Sequence, residues 1–147
     1  MQNREILFRG QTRRYGEKLK NVAGEPMESN WVYGGIFPNN FGSDFAIIYQ
    51  QEPDIKKFSV YADTVCQYTG LTDVYGTMIF EGDIVSFYDC LNSENGYSEQ
   101  YCCGVVVWDK ETLSFQVTNR LSAESYEVLS ECSVIGNKFD NPNLLKV

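Results

Sequence analysis

The 147-residue chain contains no histidine. That absence removes Ser-His-Asp and Cys-His catalysis, histidine-ligated metals and an imidazole pH switch, because no other side chain titrates near neutrality unperturbed. Neither GxxxxGK[ST] nor GxGxxG occurs, so the common glycine-rich phosphate cradles are missing too. Cys66, Cys90, Cys102, Cys103 and Cys132 form no Cys-x-x-Cys pair. Adjacent Cys102 and Cys103 would point to opposite faces of an extended chain, a poor start for a tetrahedral zinc site. The cysteines are expected to be small apolar fillers. No stretch approaches the ~20 apolar residues of a membrane helix. Met1-Gln-Asn-Arg-Glu5 carries no apolar leader, so the expectation is a cytoplasmic protein with reduced thiols and no membrane association.

What is present is aromatic and acidic. Ten tyrosines and nine phenylalanines favour strands, within a composition of 43% hydrophobic and 22% charged residues that suits a globular chain. The net charge of −8 is unevenly spread. Residues 1–20 hold Arg4, Arg9, Arg13, Arg14, Lys18 and Lys20 against Glu5 and Glu17, whereas the remainder holds six basic and 18 acidic residues. An acidic body repels phosphate backbones, so nucleic-acid contact would have to use the basic end alone. Arg9, Arg13, Arg14, Lys18 and Lys20 are the candidates for phosphate contact, set against the plainer reading of a solvated basic loop.

Apolar runs separated by turn residues predict many short strands. Glu5 to Gly10, Trp31 to Phe37, Phe45 to Tyr49 and Phe58 to Tyr61 are the first four. Gly34 and Gly35 inside the second suggest a bulge or a close backbone approach. Residues 11–30 are polar and lack periodicity, which predicts a long loop. Asp63 is suited to cap a helical turn through Tyr68, ended by Gly70. Beyond it, Met78 to Phe80, Ile84 to Tyr88, Tyr101 to Trp108, Leu113 to Val117, Tyr126 to Leu129 and Cys132 to Ile135 read as strands. Gly76 is expected at positive φ, Asp89 to Gln100 as a polar connection turning at Asn95-Gly96, and Asn141-Pro142 as the start of a short C-terminal helical turn.

Asp73, Glu81 and Asp83 are the best acidic cluster. Glu81 and Asp83 would share a face if extended, as magnesium ligands or an acid–base pair require. Glu-Gly-Asp is more simply a turn in which Asp83 bonds local N–H groups. No catalytic, cofactor or metal site is therefore assigned. Tyrosine-rich surfaces can stack bases, yet Trp31, Tyr33, Tyr61 and Tyr68 are not interleaved with basic residues as that mode demands.

Four blocks in order carry a family resemblance: Arg4-Glu-Ile-Leu-Phe-Arg-Gly10; Trp31-Val-Tyr-Gly34; Thr64-Val-Cys-Gln-Tyr-Thr-Gly-Leu71 through Gly76 to Ile79-Phe-Glu-Gly-Asp-Ile-Val85; and Val134-Ile-Gly136 with Asn141-Pro-Asn-Leu-Leu145. On these the chain resembles the YopX family of phage and prophage proteins. The resemblance implies a fold and a bacterial host, and brings no mechanism. The 11–30 loop looks longer than the family's usual connection. Together these readings predict a mainly β protein. Residues 1–63 would form an N-terminal antiparallel section and residues 64–147 a small SH3-like barrel with one or two short helices. The expected role is a non-enzymatic accessory protein that binds another protein or itself. The alternatives are a nucleic-acid-associated module using the basic segment and a small magnesium-dependent hydrolase or nuclease.

Overall fold

The computed structural model describes residues 6–14, 29–37, 44–51, 53–93 and 96–145. The chain is mainly β and divides into two compact units, Met1–Tyr68 and Thr69–Val147. No helix among the described residues is long and apolar enough to cross a membrane.

In the first unit, β1 (Phe8–Arg13), β2 (Asn30–Ile36), β3 (Phe45–Gln50) and β4 (Lys56–Tyr61) form an antiparallel meander in the order β4-β3-β2-β1. The opening residues of β5 (Cys66–Thr72) flank β1, with Gln67 opposite Phe8 and Cys66 opposite Arg9. Period-two alternation turns Ala46 and Ile48 of β3 to one face, where they bury with Val32 and Val60. The anticipated close approach at Gly34 is present: a Cβ there would run into the Tyr49 carbonyl. Most of the 11–30 loop lies outside the described residues, although β1 runs three residues further than expected, to Arg13.

The helical turn expected over Asp63–Tyr68 is shorter and ends earlier. A 3-10 turn spans Ala62–Thr64, and the chain then extends into β5. Asp63 does not cap it, because its carboxylate is held by Arg14 at 2.8 and 3.1 Å. Pairing with β1 also claims the backbone of Cys66 and Gln67 for a strand.

The second unit continues β5, which pairs there with β6 (Met78–Phe80). It adds β7 (Asp83–Ser93), β8 (Gly96–Asp109), β9 (Ser114–Val117) and β10 (Ser133–Asn137), ordered β10-β7-β8-β9. These pairings make an open four-stranded sheet rather than a closed SH3-like ring among the described residues. Residues expected to be a polar connection belong instead to a long hairpin, with Asn92 opposite Tyr97 and Ser93 opposite Gly96. The turn expected over Leu71–Gly76 is confined to Asp73–Gly76, because Leu71 and Thr72 belong to β5, and that expected over Glu81-Gly82-Asp83 gives way to β7 at Asp83; Gly76 lies at φ +84° and Gly82 at +87°.

The stretch expected to be a strand at Tyr126–Leu129 is the α-helix α1 (Ser125–Ser130). A capping box starts it: Glu124 and Glu127 each accept the other's backbone N–H. Ser125, Val128 and Leu129, spaced i, i+3 and i+4, form its buried face, while Tyr126 is exposed. Val128 and Leu129 join Ile79, Val85, Phe87, Val106, Val117 and Cys132 in the core of this unit. A second 3-10 turn occupies Pro142–Leu145, where a helical turn was expected.

Candidate interaction cleft

The acidic cluster singled out from the sequence closes turns. Asp73 is 6% exposed; its Oδ1 accepts the N–H of Tyr75 and Thr77, each at 2.9 Å, and its Oδ2 accepts that of Val134 at 2.9 Å. Burial, the largest influence, pushes the Asp73 pKa up. The backbone donors of Val134, Thr77 and Tyr75 outweigh it and hold the pKa below its usual value. Asp83 is buried and accepts the Phe80 N–H at 2.8 Å. Glu81 is half-buried in the turn between them. Among the described residues, no three Cys, Asp or Glu side chains converge as a metal site. The Cys132 thiol is driven to about 11, first by burial and then by the Asp73 charge, which leaves it protonated and unreactive near neutrality.

Two of the basic candidates, Arg9 and Arg14, are engaged within the first unit. Arg9 is buried with its guanidinium 4.6 Å from the centre of the Trp31 ring. Arg14 forks onto Asp63 and lies 4.1 Å over the Tyr61 ring. Around it, a shallow pocket is also lined by Asp44. Arg13 is half-buried, and Lys18 and Lys20 lie outside the described residues. The tyrosines and tryptophan weighed as a stacking platform do not lie open together: Trp31 and Tyr61 are half-buried, Tyr68 is buried and Tyr33 is exposed.

A different group of residues forms a concave surface in the second unit. Val85 and Phe87 of β7 point into the core, and the same alternation carries Asp89 inward to a position 2% exposed. There it clamps a distant segment. Asp89 Oδ2 accepts the N–H of Leu121 at 2.6 Å and of Ser122 at 3.2 Å. Its Oδ1 accepts those of Cys90 at 2.8 Å and Ala123 at 3.3 Å, together with the Ser122 hydroxyl at 3.3 Å. The Ser122 hydroxyl also lies against the Cys90 carbonyl. Burial again pushes the carboxyl pKa up, and the donors of Leu121, Cys90, Ser122 and Ala123 together pull it below the ordinary carboxylate value. Arg120 stiffens the same segment, donating from Nε to the Val117 carbonyl at 2.8 Å and from Nη1 to that of Ala123 at 2.9 Å.

With residues 121–123 fixed to β7 and the capping box starting α1, a cleft of about 720 Å³ opens along the hairpin. Phe87 to Cys90 and Glu99 line one side; Ser122, Ala123, the α1 residues Tyr126, Glu127 and Ser130, and Glu131 just past the helix line the other. Tyr88 and Tyr126 are 69% and 70% exposed. Opposite Tyr88 on the hairpin stands Tyr101, also exposed, with ring centres 5.3 Å apart and edge to face. Glu99, Glu127 and Glu131 are exposed carboxylates, and among the described residues the lining holds no lysine or arginine. Sequence reasoning missed this cleft. The readable signals were Asp89 in phase with Val85 and Phe87, and the i, i+3, i+4 spacing of Ser125, Val128 and Leu129.

The model of a family described as YopX protein matches residues 31–146. Comparison with curated proteins finds no match. Among solved structures, the crystal structure of protein EF1440 from Enterococcus faecalis is similar, with a TM-score of 0.52 and 18% sequence identity over 98% of this chain and 100% of that one. At that identity the likeness is one of fold. The matched span of residues 31–146 takes in three of the four sequence blocks, and the chain belongs to the YopX family.

Proposed function

We propose that this chain is a non-enzymatic accessory protein of phage or prophage type that binds another protein through the cleft between the β7–β8 hairpin and α1. The carrying observation is the pairing of exposed Tyr88 and Tyr126 with Glu99, Glu127 and Glu131 in a concavity that holds no basic residue among the described ones. Exposed aromatic side chains supply large contact area at little conformational cost, and a one-signed rim selects the charge of the partner. The partner segment is therefore basic. The engagement of Arg9 by Trp31 and of Arg14 by Asp63 favours a protein partner over a phosphate backbone. The family's phage and prophage setting supports a role in the cytoplasm of a bacterial host.

The test is selection of displayed random dodecapeptides on the full chain, with counter-selection on Tyr126→Ala/Glu127→Gln/Glu131→Gln. Enrichment of Lys- or Arg-containing peptides that discriminate the two proteins is expected. Peptides that bind both equally would contradict the proposal. So would a low-salt anisotropy assay in which a single-stranded oligonucleotide binds and no selected peptide does.

A further inference from the structure

The edge of β9 has its own geometry. Val106 faces Val117 and Trp108 faces Phe115 across the β8–β9 ladder, and the Thr118 N–H donates to the Val105 carbonyl at 3.1 Å. Antiparallel bonding alternates, so Gln116 and Ser114 point their backbone groups toward β8, and Val117 and Phe115 point theirs away. At Val117 the outward groups are occupied within the chain. Its N–H donates to Ser125 Oγ at 2.9 Å, and its carbonyl accepts from Arg120 Nε at 2.8 Å. At Phe115 no strand among the described residues lies on that side, because β9 ends the sheet order.

Phe115 also lines a groove of about 320 Å³, at the lower end of the size of ligand clefts. Thr69 and Leu71 of β5 and Tyr126 and Leu129 of α1 complete its walls. Leu71 is 45% exposed above the buried Leu129, so the groove presents aliphatic surface beside the last strand of the sheet. Leu113 at φ +53° and Asn119 at φ +61° bound the edge to a few residues. Pairing over so short an edge gives few hydrogen bonds, and a side chain seated in the groove has to supply the remaining affinity.

We infer that β9 accepts an extended segment of a partner protein as an added strand, with an aliphatic side chain of that segment seated between Leu71, Phe115, Tyr126 and Leu129. This rests on the protein-binding reading and specifies its mode. Tyr126 lines both the groove and the acidic cleft. A segment paired at Phe115 thus continues past Tyr126 and brings a basic residue to Glu127 and Glu131. The recognition element pairs an aliphatic residue with a nearby lysine or arginine.

The experiment uses the selected dodecapeptides as probes on the full ¹⁵N-labelled chain. The peptides are expected to pair an aliphatic with a basic residue and to slow Phe115 amide exchange at least tenfold. Leu71→Asp, checked for an unchanged amide spectrum elsewhere, is expected to weaken them at least tenfold. N-methylation of the peptide residue opposite Phe115 is expected to do the same. Peptides that require Glu127 and Glu131 yet leave Phe115 exchange and the Leu71→Asp affinity unchanged would overturn strand addition and leave protein binding standing. If no peptide binds, both readings fall. Concentration-dependent protection of Phe115 without peptide, with a dimer in sedimentation, would make a second copy the occupant and overturn the inference.

Discussion

The two units hold their charged residues in opposite ways. In the first, arginines meet side chains: Arg9 the Trp31 ring, Arg14 the Asp63 carboxylate and the Tyr61 ring. In the second, buried aspartates meet backbone: Asp73, Asp83 and Asp89 accept main-chain N–H groups, and Asp89 reaches residues more than 30 positions away. A carboxylate bonded to several N–H groups fixes chain geometry, whereas a partly exposed ion pair contributes little to stability. The second unit thereby fastens the segment leading into α1 with internal acids, which leaves its glutamates and tyrosines on the outside. That difference explains why the candidate cleft lies in the second unit although the basic segment drew attention to the first.

The largest expected effect is at Asp89. Removing its carboxylate leaves several backbone donors without an acceptor, each costing about 1–3 kcal/mol when buried. Asp89→Ala is expected to lower unfolding free energy by roughly 3 kcal/mol or more, and to broaden the amide signals of residues 121–131. Denaturant midpoints check this; an effect below about 1 kcal/mol would break the comparison. Next is the first unit's core, where Ile48 is fully buried. Ile48→Ala should cost about 2–5 kcal/mol through the lost contacts and the cavity left behind, while the signals of residues 121–131 stay unchanged.

Acid separates the units more subtly. The folded pKa values of Asp73 and Asp89 lie below the usual value. Their contribution is therefore fully present above the unfolded carboxylate pKa of about 3.9 and is lost as pH falls through the folded values. Signals of the second unit should lose protection below about pH 4, and Asp89→Asn should flatten that dependence. A variant as acid-sensitive as the parent would contradict the assignment. The smallest effect is at the surface pair of the first unit. Arg14→Met should change stability by no more than about 1 kcal/mol, measured by thermal unfolding, because both partners are about half exposed or more.

Much of the fold was legible where local pattern and tertiary demand coincide. The apolar run Phe45 to Tyr49 is a strand, the alternating stretch from Leu113 is a strand over Ser114–Val117, and Gly76 and Gly82 sit at turns that require positive φ. The sequence misled where a distant partner decides. Tyr126-Glu-Val-Leu129 has strand composition, but the Glu124–Glu127 box and the burial of Val128 and Leu129 against a sheet make it helical. Glutamate in the N-cap position concealed that start, since serine, threonine, asparagine and aspartate are the usual signals. Asp63 reads as a cap locally and is claimed by Arg14, 49 positions earlier. Asp89 was hidden for the same reason, because its donors come from residues 121–123.

Amide shift mapping of the ¹⁵N-labelled chain during titration with a selected basic dodecapeptide tests the protein-binding claim most directly. The expected result is a saturable set of shifts at Phe87–Cys90, Glu99 and Ser122–Glu131, accompanied by Leu71 and Phe115 where the segment adds to β9, and abolished by Tyr126→Ala/Glu127→Gln/Glu131→Gln. Shifts that leave those residues untouched and gather instead at Arg9–Arg14 would contradict it.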